Sequence, residues 1–145
     1  MASIHLIVGS VMGTATGIAQ EAAKILQQQH KVRVNQHFSV GDLRSDEPLL
    51  ICTSSTGLGD LPSNIAPLLE HLQTDKPDLN GIKYSVINLG DSHYPNFGGA
   101  GRRLDQALTE LGAINTLIPL QYDASEGEPS LGELKIWLGE WQATL

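Results

Sequence analysis

The chain has few cysteines, aromatic residues and basic residues. Cys52 is its one cysteine, so no disulfide can form within the 145 residues. Aromatic residues make up 5%, and 9 Lys and Arg stand against 16 Asp and Glu, which gives a net charge of −7 at pH 7. No run of Lys and Arg is present to attract nucleic acid or an anionic membrane surface. We therefore expect neither as a partner.

Long apolar runs are also missing. No stretch reaches the roughly 18 apolar residues of a membrane-spanning helix, and no basic lead of the secretory type opens the chain. At this length one domain buries a sufficient core without a metal or disulfide. We expect a cytoplasmic protein that folds as one domain over residues 1–145, with Cys52 buried in the apolar run PLLICTSS.

Short apolar runs predict the strands of a sheet. They span 3–8, 49–53, 83–89 and 114–120, with a weaker alternating run over 31–36. Apolar residues at helical spacing predict helices over 16–29, 64–73, 100–111 and 131–143. In the last of these, Trp137 and Trp141 are expected in the core. Alternating strands and helices predict an α/β fold, a doubly wound parallel sheet of five strands with helices on both faces.

Glycine, by contrast, is plentiful, and it concentrates in three loops that follow the first, third and fourth predicted strands. These loops read GSVMGTATG, SSTGLGDLPSN and LGDSHYPNFGGAG. Loops that leave parallel strands open on one edge of the sheet, where ligands bind at the point at which the winding direction reverses. Glycine permits close approach of a ligand to the backbone. The three loops therefore predict one shared ligand site.

The first loop, GSVMGTATG over residues 9–17, leads from a strand into a helix. A helix N-terminus with free backbone N–H groups is a natural site for a phosphate. The glycines recur every four residues and no Lys follows, which excludes the dinucleotide fingerprint and the Walker loop. An ordinary helix cap would explain the loop equally well when it is considered alone.

The third loop carries a specific resemblance to a known family. The run LGDSHYPNFGGAGRRLDQALTELGA resembles a pattern of the flavodoxins, which are FMN-binding electron carriers, and GLGDLPSN resembles a second run of the same group. The resemblance covers nearly the whole chain and is strongest to the short-chain, MioC-type members. It implies a flavodoxin-like sheet with the order 2-1-3-4-5. It also implies an electron carrier rather than an enzyme, with an NADPH-dependent flavin reductase as donor and an iron–sulfur or other metalloenzyme as acceptor.

By this resemblance each loop takes a different part of FMN. The phosphate would be wrapped by the first loop, through Ser10, Val11, Met12, Gly13, Thr14 and Ala15. One side of the isoalloxazine ring would lie along Ser55, Thr56, Gly57, Leu58 and Gly59. Tyr94 would stack on the other side. The rest of the ring pocket would be shaped by Leu89, Gly90, Asp91, Asn96, Phe97 and Gly98.

The resemblance also implies how the pocket tunes the flavin. Gly57, with Gly59 second, would offer a backbone carbonyl to the proton that flavin N5 gains on one-electron reduction, because a glycine peptide rotates freely. Acidic residues near the ring would disfavour the extra negative charge of the fully reduced flavin and so lower its potential. The candidates are Asp60, Asp91 and Asp123.

Four positions depart from the flavodoxin pattern, and one of them, Gly98 in place of the customary Cys, costs little. Met12 and Ala15 stand where hydroxyl residues are usual, and Thr56 stands where an aromatic residue often covers the inner ring face. Fewer hydroxyls predict weaker phosphate binding. The departures leave one alternative open, a flavodoxin-like module with lost or very weak FMN binding that serves as a protein-interaction partner. The acidic stretch YDASEGEPSLGE is expected to be a solvated loop, with a docking patch as the alternative.

Three other interpretations are disfavoured by what the sequence lacks. The five His are scattered without ligand spacing, so no metal site is expected. A hydrolase with Ser92 as nucleophile would need a His base, and none follows His93. A receiver domain would need a pair of acids at the end of the first strand, and residues 7–10 contain none.

Overall fold

Strands and helices alternate along the chain in a computed structural model that describes residues 2–10, 13–44, 46–56, 59–94 and 96–145. The strands are β1 (Ser3–Gly9), β2 (Lys31–Asn35), β3 (Leu49–Ser54), β4 (Lys83–Gly90), β5 (Ile114–Asn115) and β6 (Leu120–Asp123). The helices are α1 (Thr14–Leu26), α2 (Ala66–Thr74), α3 (Gly99–Glu110) and α4 (Leu131–Gln142), with a 3-10 turn at Ala124–Glu126. Apart from the fifth strand, these bounds lie within a few residues of those predicted.

The sheet is parallel, with the order β2-β1-β3-β4 and with both β5 and β6 paired to the outer side of β4. This confirms the predicted order 2-1-3-4-5, because the two short segments share the fifth position. The prediction of a continuous strand over 114–120 is wrong. Pairing stops at Asn115 and resumes at Leu120, so residues 116–119 bulge from the edge.

The bulge has a local cause in its own sequence and in β4. Pro119 carries no N–H that could donate to a neighbouring strand. The buried Ser85 of β4 faces the break, and its hydroxyl donates to the carbonyl of Leu117 at 3.3 Å. A side-chain hydrogen bond thus replaces part of the missing ladder, and the strand then continues to Asp123.

Two apolar layers cover the sheet. On one face α1 and α4 pack on alternate residues of β1, such as Leu6 and Val8, while α2 and α3 cover the face that Ile7 enters. Trp137 and Trp141 lie in the first layer with their rings 6.4 Å apart and nearly parallel, which confirms their place in the core. Cys52 is fully buried as expected, and burial raises the pKa of its thiol to about 12.

Within the described part of the chain, none of the helices has the length and apolar character needed to cross a membrane.

One close contact joins α3 to the end of β4. A Cβ built on Gly101 would stand 2.5 Å from Nδ2 of Asn88, a buried side chain whose amide donates to the carbonyl of Gly98 at 2.8 Å. A methyl group at Gly101 must therefore displace Asn88 and break that bond. Gly139 in α4, in contrast, has open space around its Cβ position.

We expect Gly101→Ala to lower the free energy of unfolding by about 1–3 kcal/mol, because overpacking a buried contact forces its neighbours to move. The matched Gly139→Ala should raise it by about 0.5–1 kcal/mol, the usual gain for replacing a helical glycine. Urea unfolding followed by far-UV circular dichroism measures both. Equal effects of the two substitutions would show that the contact with Asn88 is unimportant.

Candidate functional site

The carboxyl ends of four neighbouring strands lie level at one edge of the sheet. The register pairs there are Gly9 with Thr53, Ser54 with Leu89, and Gly90 with Asp123. Since adjacent strands lie roughly 4.8 Å apart, the four ends span about 14 Å. The loops after β1, β3, β4 and β6 therefore leave the sheet side by side, and we call them loops 1 to 4 in that order.

A cavity of about 760 Å³ lies between these loops. It falls within the ~300–1,000 Å³ range usual for small-molecule sites. The structure places most of the predicted site residues around it. Those lining the cavity are Ser10, Thr14, Ser55, Thr56, Leu89, Gly90, Asp91, Tyr94, Asn96, Phe97 and Gly98.

The remaining predicted residues fall into two groups. Gly13 and Gly59 lie in loops 1 and 2 and Ala15 lies in the first turn of α1, but none of the three is among the residues that line the cavity. Val11, Met12, Gly57 and Leu58 lie outside the described residues. The roles assigned to these four, including that of Gly57 as a carbonyl acceptor, therefore stay predictions.

Loop 1 ends in a helix start that is suited to an anion. Gly13 caps α1 in the left-handed conformation, with φ of 89°, and lets the chain turn sharply into the helix. The first turn reads Thr14, Ala15, Thr16 and Gly17, so it carries no carboxylate. In an α-helix the first N–H groups have no intrahelical acceptor. Ala15 is fully buried and does not line the cavity.

Polar side chains fix the path of loop 1. The hydroxyl of Ser10 accepts from the backbone N–H of Gly13 at 2.9 Å. The N–H of Ser10 donates to Asn64 Oδ1 at 3.2 Å, and the amide of Asn64 donates in turn to the carbonyl of Val8 at 2.9 Å. Asn64 thus holds the end of β1 against the segment before α2.

Loop 2 folds tightly against loop 3. The N–H of Thr56 donates to the carbonyl of Asp60 at 2.9 Å, and that of Gly59 donates to the carbonyl of Thr56 at 2.8 Å. Gly59 has φ of 84°, and a Cβ there would stand 2.6 Å from Cβ of Asn96. Only glycine allows both the turn and the close approach. The two loops consequently support one another.

Ser55 makes a second link between loops 2 and 3. Its hydroxyl accepts from the backbone N–H of Ala100 at 3.1 Å, so it caps the N-terminus of α3 from a different strand. On the outer surface, Arg103 of α3 pairs with Asp60 at 2.7 Å, although both side chains are about half exposed and the pair contributes little.

Loop 3 presents the aromatic side of the cavity. Tyr94 and Phe97 line it, and Tyr94 is 58% exposed. The backbone N–H of Tyr94 donates to the carbonyl of Asp91 at 3.1 Å, and the Asp91 carboxylate accepts from the N–H of His93 at 2.9 Å. Tyr94 is thus held by its backbone and leaves its ring free to cover a flat ligand.

Loop 4 is the wall that sequence reasoning missed. It contributes Ala124, Gly127, Glu128 and Pro129. The end of β6 adds Tyr122 and Asp123, of which Asp123 was expected near the ring, and Ser54 at the end of β3 also lines the cavity. The expectation of a solvated loop here came from its acidic residues, and most of them are indeed exposed, but the loop also borders the cavity. Continuation of the strand to Asp123 would have placed the next residues at the ligand edge, because β6 runs parallel to β4.

Comparison with known proteins gives a consistent result. A family model described as Flavodoxin matches residues 6–136. The chain is 36% identical to Flavodoxin YqcA of Escherichia coli, over 100% of this chain and 99% of that protein, and 33% identical to Protein MioC of the same organism, over 97% of each. Among solved structures, a cysteine-to-serine mutant of flavodoxin from Pseudomonas aeruginosa superposes with a TM-score of 0.90 at 34% identity, covering 99% of this chain and 98% of that one.

The contact of Ser55 with α3 yields a prediction that needs no ligand. We expect Ser55→Ala to lower the free energy of unfolding by about 1 kcal/mol, because the N–H of Ala100 loses its cap. Ser63→Ala, at an exposed position before α2, should change it by less than about 0.5 kcal/mol. Chemical denaturation compares the two. Equal free energies of unfolding in the two variants would show that Ser55 does not cap α3.

Proposed function

Because the chain belongs to the flavodoxin family, we propose that it binds FMN noncovalently and carries single electrons between proteins. The observation that carries the proposal is the arrangement of the cavity. An anion-binding helix start lies at one end, and an aromatic, largely apolar wall lies at the other. FMN requires both surfaces, the first for its phosphate and the second for its isoalloxazine ring.

The phosphate end of the proposed site is loop 1. The N-terminus of α1 stabilises a negative charge through its dipole and its free N–H groups. Thr14 lines the cavity at this point and offers a hydroxyl, as does Ser10. No Lys or Arg is needed, since backbone donors carry the binding and no carboxylate in the first helical turn opposes it.

The ring end of the proposed site lies between loops 2 and 3. Bound FMN supplies the one-electron chemistry. The chain supplies the surroundings: Tyr94 covers one face of the ring, Thr56 lies on the other side, and Leu89 forms an apolar floor. Asp91 and Asp123 line the same region, and their negative potential opposes any additional negative charge there.

The proposed partners follow from the family and from the charge of the chain, not from the cavity. A flavodoxin role would place an NADPH-dependent flavin reductase upstream and an iron–sulfur or other metalloenzyme downstream. The net charge of −7 favours partners with basic docking surfaces. The cytoplasmic location expected from the sequence also stays a prediction.

The two ends of the site can be tested separately with FMN and with riboflavin, which lacks the phosphate. We expect the wild-type protein to bind one FMN, seen as a shifted visible flavin spectrum on titration. Thr14→Glu should weaken FMN binding by about tenfold or more, because a carboxylate at the helix start repels the phosphate, and should barely change riboflavin binding.

Gln20→Glu is the matched control, since it adds the same charge at an exposed position farther along α1. It should leave both affinities within about twofold of wild type. Failure of the wild-type protein to bind FMN at micromolar concentration would contradict the carrier role and favour an FMN-free interaction module. Equal weakening of FMN and riboflavin binding by Thr14→Glu would show that the phosphate does not bind at loop 1.

The stacking role of Tyr94 makes a second prediction. Tyr94→Ala should weaken FMN and riboflavin binding alike, by about 1–3 kcal/mol, because it removes an aromatic contact with the ring. Tyr94→Phe keeps the ring and should stay close to wild type. Fluorescence titration of both ligands measures the effect, and unchanged affinity in Tyr94→Ala would place the flavin ring elsewhere.

A further inference from the structure

Loops 3 and 4 are joined by one carboxylate. Asp123 is the last residue of β6, and its register partner is Gly90, the last residue of β4, so the two loops start side by side. Oδ1 of Asp123 accepts from the backbone N–H of Ser92 at 3.0 Å. The same oxygen accepts from the backbone N–H of Ser125 at 3.0 Å and from its hydroxyl at 2.8 Å.

The two serines strengthen this link. The hydroxyls of Ser92 and Ser125 lie 2.9 Å apart, so they form a second hydrogen bond between the loops. The hydrogen bond from the N–H of Ser92, with those from Ser125, holds the pKa of Asp123 well below its usual range. The carboxylate therefore stays ionised at neutral pH and accepts charge-assisted hydrogen bonds, which are stronger than neutral ones.

The hydrogen bonds of Asp123 hold the turn that contains Tyr94. Ser92 lies two positions before Tyr94 in the turn 91–94, which the bond from the Tyr94 N–H to the Asp91 carbonyl closes. Tyr94 is 58% exposed, so packing does little to fix its side chain. Its position depends on the backbone of the turn, which is held from within by Asp91 and from loop 4 by Asp123.

We propose that Asp123 is a positioning residue for Tyr94, fixing the turn 91–94 so that the aromatic ring stands along the cavity before the flavin enters. This inference rests on the proposed function, since it takes the flavin ring to lie against Tyr94. It differs from the role expected from the sequence, in which Asp123 acts by its negative charge alone. An ordered turn lowers the entropy lost when the ligand binds.

Three substitutions separate positioning from charge. Asp123→Asn keeps an acceptor oxygen at the same place and loses the charge, whereas Asp123→Glu keeps the charge and displaces the oxygen by one methylene. Asp123→Ala loses both. Glu126→Ala is the matched control, because it removes one negative charge from the same exposed loop. Positioning predicts that Asn resembles wild type and that Glu resembles Ala, while a charge role predicts the reverse.

The first measurement uses the apoprotein and needs no cofactor. Amide hydrogen exchange of Ser92, followed by NMR, should be about tenfold faster in Asp123→Ala and Asp123→Glu than in wild type, because the Ser92 N–H loses the acceptor oxygen at that place. Asp123→Asn and Glu126→Ala should stay within about threefold of wild type. Unchanged exchange in both Asp123→Ala and Asp123→Glu would overturn the proposal.

The second measurement is a double-mutant cycle on ligand affinity. Asp123→Ala should raise the dissociation constants for FMN and riboflavin alike, by about three- to tenfold, the range of one aromatic contact. In a Tyr94→Ala background the same substitution should add less than about twofold, since its effect passes through Tyr94. A full, independent effect in that background would overturn the proposal, as would equal losses in Asp123→Asn and Asp123→Ala.

The two measurements fail in different ways. A wild-type protein that binds no FMN would contradict the proposed function, and Ser92 exchange in the apoprotein would still decide whether Asp123 fixes the turn. A protein that binds FMN normally while Asp123→Ala changes neither exchange nor affinity would contradict only the positioning role.

Discussion

Parallel pairing sets the ends of β1, β3, β4 and β6 level, and the site depends on that alignment. The central strands are buried on both faces, so a register slip of one residue would turn apolar side chains from one core layer to the other. The core therefore fixes the height at which each loop begins. Loops that begin at one height over about 14 Å can share one cavity, whereas staggered loops cannot.

Contacts between the loops complete what the strands begin. A loop at a sheet edge must satisfy its own backbone polar groups, and here neighbouring loops do so for one another. Ser55 of loop 2 caps α3 behind loop 3, Gly59 packs against Asn96, and Asp123 holds Ser92. Each link joins adjacent strands. The cavity wall is thus ordered by hydrogen bonds that exist without a ligand, and this order reduces the cost of binding.

The sequence predicted the elements with long apolar runs and missed what depends on tertiary contacts. The run INTLIPL looked like a buried strand, yet Ile114 and Ile118 are 50% and 78% exposed, because the edge strand breaks opposite Ser85. A strand that ends at residue 120 also gave no reason to place loop 4 at the cavity. The glycine content of the sequence located loops 1 to 3, because backbone positions that are approached closely favour glycine. The hydrogen bond from the Ser92 N–H to the Asp123 carboxylate could not be found in this way, because the two residues lie 31 positions apart.

Charge is distributed unevenly along the cavity, and this gives it a direction. The helix start at loop 1 carries partial positive charge and no carboxylate in its first turn. At the other end, Asp91, Asp123 and Glu128 line the cavity near loops 3 and 4. The anionic end of an elongated ligand is attracted to the helix start after β1 and repelled by the carboxylates near β6. The same field that orients the ligand opposes added negative charge at the opposite end. For the proposed FMN, orientation and redox bias would therefore have one electrostatic origin, which arises from the order of the strands rather than from any single residue.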